Sequence, residues 1–345
     1  MKQRIYAVVV LILFVAVVIF FYNRFAFTGS QSHQPITVTD YKLNTYVTVT
    51  IYDSTDTALL DKCMALCDKY EMIFSRTNPE SELYKLNHGL LPQSADGYYA
   101  ISDELFQVIE IGKKYSELSG DAFCIAMEPL TSLWNFTDGA KNVPADEQIT
   151  SVLPILNSND ILLRAPNEIA FTNKGMGIDL GAVAKGYIAD KIKEYLISEG
   201  VNSALIYLGG NVLCIGEKDT GAFKIGIEKP FDTDSNPAAV VSVSDTSIVT
   251  SGTYERYFEK AGNFYHHILD HDTGYPIEND LTAVTIITPV SADADALSTT
   301  CFSLGLEKGL ELLESLDYAD GFFITKNGEY YYTKGFEKKY QLAIK

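Results

Sequence analysis

Positive charge is in short supply in this chain: 27 Lys and Arg face 45 Asp and Glu, for a formal net charge of -18. With a sequence pI of about 4.6, nonspecific nucleic-acid binding is excluded, because its footprint is a basic face. An acidic protein that handles an anionic substrate must relieve the repulsion locally, through a metal ion or through lysines and backbone amides. Cysteine is sparse and odd in number, five in all, with no C-x-x-C and no Cys/His metal spacing, so neither a disulfide scaffold nor a zinc module is expected. Cys63 and Cys67 sit four apart on a predicted helix, while Cys124, Cys214 and Cys301 lie singly in apolar surroundings and read as small buried hydrophobes. There is no internal repeat, and the N-terminal apolar run is the only low-complexity stretch. What is present is a normal globular balance, 47% hydrophobic and 21% charged over 345 residues, enough for one large domain or two.

From Tyr6 to Tyr22 no residue is charged, a length at the short end of a bilayer-spanning helix. Lys2 and Arg4 precede the run and Arg24 follows, which keeps the N-terminus in the cytoplasm. No small-x-small cleavage site closes the run, and no cysteine follows it for lipidation. The expectation is a cytoplasmic segment 1–4, a transmembrane signal anchor 5–23, a linker 24–36, and a single compact domain 37–345 outside the cytoplasm.

Thr45 to Tyr52 reads as a strand, and Asp56 as the cap of a helix with Leu60, Cys63, Met64, Cys67 and Tyr70 on its apolar face. A second helix is predicted over Asp103 to Leu118, and the last two start near Asp293 and Glu307. Ser203–Leu208, Val212–Ile215, Phe223–Ile227, Ala239–Val243 and Ala283–Ile287 read as further strands. Helices and strands mix without a regular βαβ period, which favours an α+β fold.

Asp179-Leu180-Gly181-Ala182-Val183-Ala184-Lys185-Gly186-Tyr187 leads into an amphipathic helix in which Ile188, Ile192, Tyr195 and Leu196 keep a buried rhythm and Gly200 supplies the stop. A glycine-rich entry of this kind exposes backbone N–H groups and the positive helix end, which suit a phosphate, and Lys185 adds charge. Taken alone, the segment reads better as an ordinary tight turn with a surface lysine. Ser291 to Thr300 opens a second helix. Asp295 and Thr299 are four apart there and share a face, an arrangement that suits a hard ion such as Mg²⁺. N-capping by Asp293, with Thr299 turned inward, is the competing explanation. His266 to Pro276 packs three histidines and two aspartates into one stretch, consistent with proton transfer or with a polar hairpin loop. Ser251 to Arg256 and the Gly209-Gly210-Asn211 turn add small residues where a cofactor can approach the backbone.

Taken together, and in order along the chain, these pieces resemble the ApbE family of FAD:protein FMN transferases. They begin with Phe74-Ser75, Ser81-Glu82-Leu83 and Leu86-Asn87, and continue with Pro129-Leu130, Leu133-Trp134 and Phe136. Asp179–Tyr187, Gly209-Gly210-Asn211, Ser251–Arg256, His267–Pro276 and Asp295–Thr299 complete the series. The resemblance implies an α+β catalytic domain that uses Mg²⁺ and FAD, passes FMN to a threonine of an extracytoplasmic acceptor of the Rnf or Nqr type or an FMN-binding domain, and releases AMP. It implies Asp295, Thr299 and the Ala182 carbonyl as metal ligands. Leu43, Thr77, Ala122, Phe123, Cys124, Asp179, Lys185, Gly209, Gly210 and His267 are the implied cofactor contacts. Catalytic roles fall to Asp295, Lys185 and His267, the last either activating the hydroxyl or contacting the flavin.

The chain departs from the family pattern at several points. Asn44 stands where glycine is usual, Cys124 where aspartate is usual, His271 where proline follows Asp270, and Thr77 and Asn78 where a tyrosine is often found. Loss of an aromatic at Thr77 would weaken flavin stacking and favour water as the acceptor. Two alternatives therefore stand beside the transferase: an FAD pyrophosphatase, and a flavin binder without catalysis.

Overall fold

In the computed structural model, which describes residues 34–345 apart from 138, 140 and 233–235, an eight-stranded antiparallel sheet organises the chain. The expected anchor at 5–23 and most of the 24–36 linker lie outside the described residues. Among those described, no helix is long and apolar enough to cross a membrane. Residues 35–345 pack as one unit.

The strands run in the order Ile36–Lys42, Thr45–Ile51, Ala204–Leu208, Asn211–Ile215, Ser247–Gly252, Leu281–Thr288, Asp320–Thr325 and Tyr330–Tyr332. Leu281–Thr288 is buried at every position, because both faces of the sheet are covered. Val284 and Ile286 join the helical side, whereas Ala283 and Ile287 join a second apolar cluster with Phe223, Val241 and Phe336. A register shift between Leu281 and Ala283 puts Leu281 on the same side as Val284 despite the odd spacing. Adjacent residues on neighbouring strands split the same way, Ile248 from Val249 and Phe322 from Phe323, which is the two-residue period of a covered sheet.

The helical side is built on Ser291–Leu304, which lies against strands Ser247–Gly252 and Leu281–Thr288 and against helix Ala184–Ser198. A third apolar cluster, with Trp134, Phe258 and Leu269, forms beside the sheet. There the Trp134 indole donates to the Gly274 carbonyl at 2.8 Å. The α+β expectation holds, and most predicted elements are found within a residue or two. Small differences have local causes. The first described helix starts at Ala58, with Asp56 accepting the Ala58 N–H at 2.9 Å from outside the Thr57 cap position. Asn211 belongs to a strand paired with Leu208, so the turn is the two glycines alone.

Candidate functional site

Helices Ala184–Ser198 and Ser291–Leu304 cross at Gly186. A Cβ there would stand 2.3 Å from the Ser291 carbonyl oxygen and 2.6 Å from the Ala292 Cα. Only glycine permits so close an approach, and the contact lets each helix supply a carboxylate to the other. Asp190 accepts the Ser291 and Ala292 N–H groups, both at 2.9 Å, while Asp295, 3% exposed, accepts the Gly186 N–H at 2.9 Å. The unsatisfied amides at two helix starts are thereby met from across the interface. Asp293 does not cap its own helix: it takes the Tyr115 hydroxyl at 2.6 Å and Lys114 at 3.3 Å.

This arrangement corrects one expectation. The glycine amides of the Asp179–Tyr187 segment are not free to cradle a phosphate, since Gly181 N–H donates to Asp179 at 2.8 Å and Gly186 N–H to Asp295. Gly186 N–H would otherwise close a helical bond onto the carbonyl four residues back, that of Ala182. Its diversion leaves Ala182 without that partner, next to the Asp295 side chain that caused it. Lys185 Nζ stands 3.6 Å from the other Asp295 oxygen. One turn on, the Thr299 hydroxyl is 3.1 Å from Ser251 Oγ, itself 2.7 Å from Ser298 Oγ. Thr299 is thus turned toward the cavity edge and anchored by the Ser251–Arg256 motif.

These groups line one side of a cavity of about 630 Å³, and every site residue named from the sequence borders that same space. Leu43 sits in a two-residue turn with Asn44, at φ 55° and 56°, and Gly209 and Gly210 form a second such turn at φ 52° and 84°. Both turns need positive φ at both central positions. They abut so closely that a Cβ on Gly209 would fall 2.0 Å from Thr45 Oγ1. Asn44 therefore takes the glycine position through the tolerance of asparagine for left-handed backbone. Leu43, a bulky residue with positive φ, is the unusual member.

Thr77, Ala122, Phe123 and Cys124 also border the cavity. The Cys124 thiol lies 3.3 Å from Ser158 Oγ, and burial pushes it up to about 11, so it is a protonated, unreactive group. The other four cysteines are buried. Asp179 is tied to Arg76, whose Nε is 3.0 Å away.

The histidine stretch divides. His266 is a core residue, its Nε2 3.1 Å from the Ile277 carbonyl, and burial lowers it to about 4. His267 faces the cavity with protein crowded around it, its Nδ1 3.3 Å from the Arg256 carbonyl. Burial first, and the Arg256 charge second, push it down to about 3, so it is a neutral imidazole near pH 7. His271 also borders the cavity.

Sequence reasoning missed Arg76 and Asp190. Arg76 lies between Ser75 and Thr77, both singled out from the sequence, but nothing in the linear order pairs it with Asp179. Asp190 carries no local signal, since its partners lie on another helix.

The ApbE family model matches residues 43–323. The chain belongs to the ApbE family. It is 38% identical over 277 residues to an FAD:protein FMN transferase of Klebsiella pneumoniae, covering 79% of this chain and 84% of that one. A Treponema pallidum protein of the same name is 37% identical over 282 residues, covering 77% of each. Among solved structures, the ApbE protein of Thermotoga maritima superposes with a TM-score of 0.80 at 26% identity, covering 88% of this chain and 99% of that one. The apo flavinyl transferase ApbE of Pseudomonas stutzeri gives 0.78 at 27%, covering 90% and 98%.

Proposed function

We propose that this protein is a transferase that cleaves FAD at its pyrophosphate and passes FMN to a threonine hydroxyl of an acceptor protein, releasing AMP. The observation that carries the reading is the corner where buried Asp295, Thr299, Lys185 and the diverted Ala182 carbonyl meet at the edge of one cavity. Its volume of about 630 Å³ is within the usual range of small-molecule sites.

The donor set fits Mg²⁺. A carboxylate, a hydroxyl and a carbonyl are hard oxygen ligands, and no thiol or imidazole intrudes among them. Asp295, Thr299 and Ala182 would hold the ion, which when bound neutralises charge on the pyrophosphate oxygens. Lys185 adds positive charge at the same corner. The Gly186 N–H fixes the Asp295 carboxylate, so its orientation is set before substrate arrives. Arg76 holds Asp179 on the flavin side, and Phe74, Phe123 and Phe136 offer apolar surface along the cavity. His267, neutral and with Nδ1 turned to a carbonyl, acts as a contact that orients the bound flavin nucleotide.

In this reading the chain is anchored by residues 5–23 with its catalytic domain outside the cytoplasm, where the acceptors are electron-transfer flavin carriers of the Rnf or Nqr type or FMN-binding domains. The test mixes the purified full-length protein with FAD, Mg²⁺ and such an acceptor. The expected result is a covalently fluorescent acceptor and one AMP for each label. Free FMN with an unlabelled acceptor would make the protein a pyrophosphatase, the outcome that Thr77 in place of an aromatic favours. Tight FAD binding without AMP would make it a carrier.

A further inference from the structure

Tyr257–Lys260 and Asn263–His266 form a two-stranded ribbon of their own, outside the large sheet. Its base is cavity wall. Arg256 precedes the first strand and His267 follows the second; both border the cavity, and the His267 N–H donates to the Arg256 carbonyl at 3.1 Å. Side chains alternate along such a ribbon. Phe258 and Tyr265 pack inward, their ring centroids 5.4 Å from Phe136 and 5.5 Å from Trp134. Tyr257 and Phe264 turn the other way, 4.9 Å apart, and Phe231 closes the cluster at 5.6 and 5.9 Å from them. Phe231, Tyr257 and Phe264 stay 53%, 45% and 40% exposed. Phe231 is held there against the preference of its backbone. It follows Pro230 in a turn closed by the Asp232 N–H on the Lys229 carbonyl at 3.2 Å, and its φ of 58° is one that glycine normally supplies. Burial does not offset that strain. The patch continues into the cavity through Tyr254, which borders it and whose ring lies 5.9 Å from Phe231.

We infer that this aromatic patch is the docking surface for the acceptor protein, and that it grips apolar side chains, with basic neighbours, beside the modified threonine. This rests on the transferase reading above. A threonine of a folded acceptor cannot enter the cavity unless the chain on either side of it crosses the rim. A segment lying over Phe264 is three residues, about 10 Å, from His267. Clustered exposed rings suit a protein partner, because each offers a large contact area at low conformational cost. Charge selects among the occupants. Glu228 opens the Phe231 turn and Glu259 is exposed on the ribbon, and neither has an ion pair among the described residues. The cations of these segments are engaged: Lys229 is 3.3 Å from Asp232, Lys260 reaches the Lys141 carbonyl at 3.3 Å, and Arg256 sits beside Glu255. An acidic collar of this kind favours basic side chains on the partner and repels an anionic bilayer surface. It also repels a second copy of a chain whose net charge is -18.

The experiment uses the full chain in detergent with FAD, Mg²⁺ and an FMN-binding-domain acceptor carrying its threonine. Wild type is compared with Phe231→Gly and with a triple variant, Phe231→Gly, Tyr257→Ser and Phe264→Ser. Acceptor KM, kcat, FAD affinity and melting temperature are read for each. The triple variant is expected to raise the acceptor KM by about 10–100-fold, with kcat within about threefold and FAD affinity within about twofold, because none of the three rings borders the cavity. Phe231→Gly alone should raise that KM about fivefold with the melting temperature unchanged or higher, since glycine suits this φ. An unchanged acceptor KM in the triple variant overturns the assignment. So does a loss of kcat or FAD affinity as large as the KM effect, or a melting temperature that falls in step with it in both variants, which makes the rings structural. A KM effect seen only in vesicles of phosphatidylethanolamine and phosphatidylglycerol gives the patch to the bilayer. A wild-type dimer split by the triple variant gives it to a second copy, and either result removes the proposal. A wild type that leaves the acceptor unlabelled removes the transferase reading, and the docking surface with it, a failure seen before any variant is made.

Discussion

The two sides of the cavity are built on different principles. The helical side is locked: Gly186 brings two helices into backbone contact, Asp190 and Asp295 are exchanged across it, and Thr299 is pinned through Ser251. Another part of the lining is made of turns and loops around Leu43, Thr77 and Cys124, and all four departures from the family pattern lie in such loop or turn segments. The difference follows from what each side must do. Charge neutralisation in phosphoryl transfer depends on donors held still, so a displaced ligand costs rate directly. A flavin ring is held by broad apolar contact, which tolerates exchange of individual side chains.

Asp295→Ala breaks the comparison most severely. It removes the buried carboxylate and orphans the Gly186 N–H. Labelling of the acceptor and AMP release should both fall by at least ~10³-fold, and chelation of divalent ions should do the same to the wild type. Normal turnover in that variant would remove the metal corner from the mechanism. Gly186→Ala tests the locked contact itself. Helix propensity alone would make alanine more stable by about 1 kcal/mol, but the clash with Ser291 and Ala292 should win and lower unfolding stability by about 2 kcal/mol in urea titrations. A more stable variant would show that the helices can move apart freely.

On the looser side, Arg76→Met leaves Asp179 without its counter-charge. FAD affinity measured by fluorescence should drop about tenfold, equivalent to about 1.4 kcal/mol, with kcat changed far less. An equal loss in kcat would place Asp179 with the reacting groups. The smallest effect concerns Asp190, whose carboxyl burial raises from 3.8 to about 6 despite two backbone donors. Because the folded-state value is raised, its contribution to stability is complete below the unfolded value and is lost as pH climbs through about 6. Asp190→Asn should flatten the stability profile between about pH 4 and 6 while keeping one capping bond. An unchanged profile would assign that pH dependence elsewhere.

Much of this site was legible in linear order. Asp295 and Thr299 share a helical face by spacing alone, the apolar rhythm from Ile188 to Leu196 defined the other helix, and the family motifs pointed to residues that do border one cavity. Other features were not legible for physical reasons. His266 and His267 are neighbours of identical type, and only packing sends one into the core beside Phe302 and the other to the cavity. Gly186 read as part of a phosphate-binding entry, whereas its lack of a side chain serves a helix crossing.

The sequence by itself determined the element types, the family and the residue types available for chemistry, because periodicity, turn propensity and motif order are local properties of the chain. The tertiary structure alone decided which amides are already occupied, which carboxylates are paired and which of two histidines faces the cavity. Those outcomes depend on contacts between segments far apart in the chain, and on the low-dielectric surroundings that such contacts create.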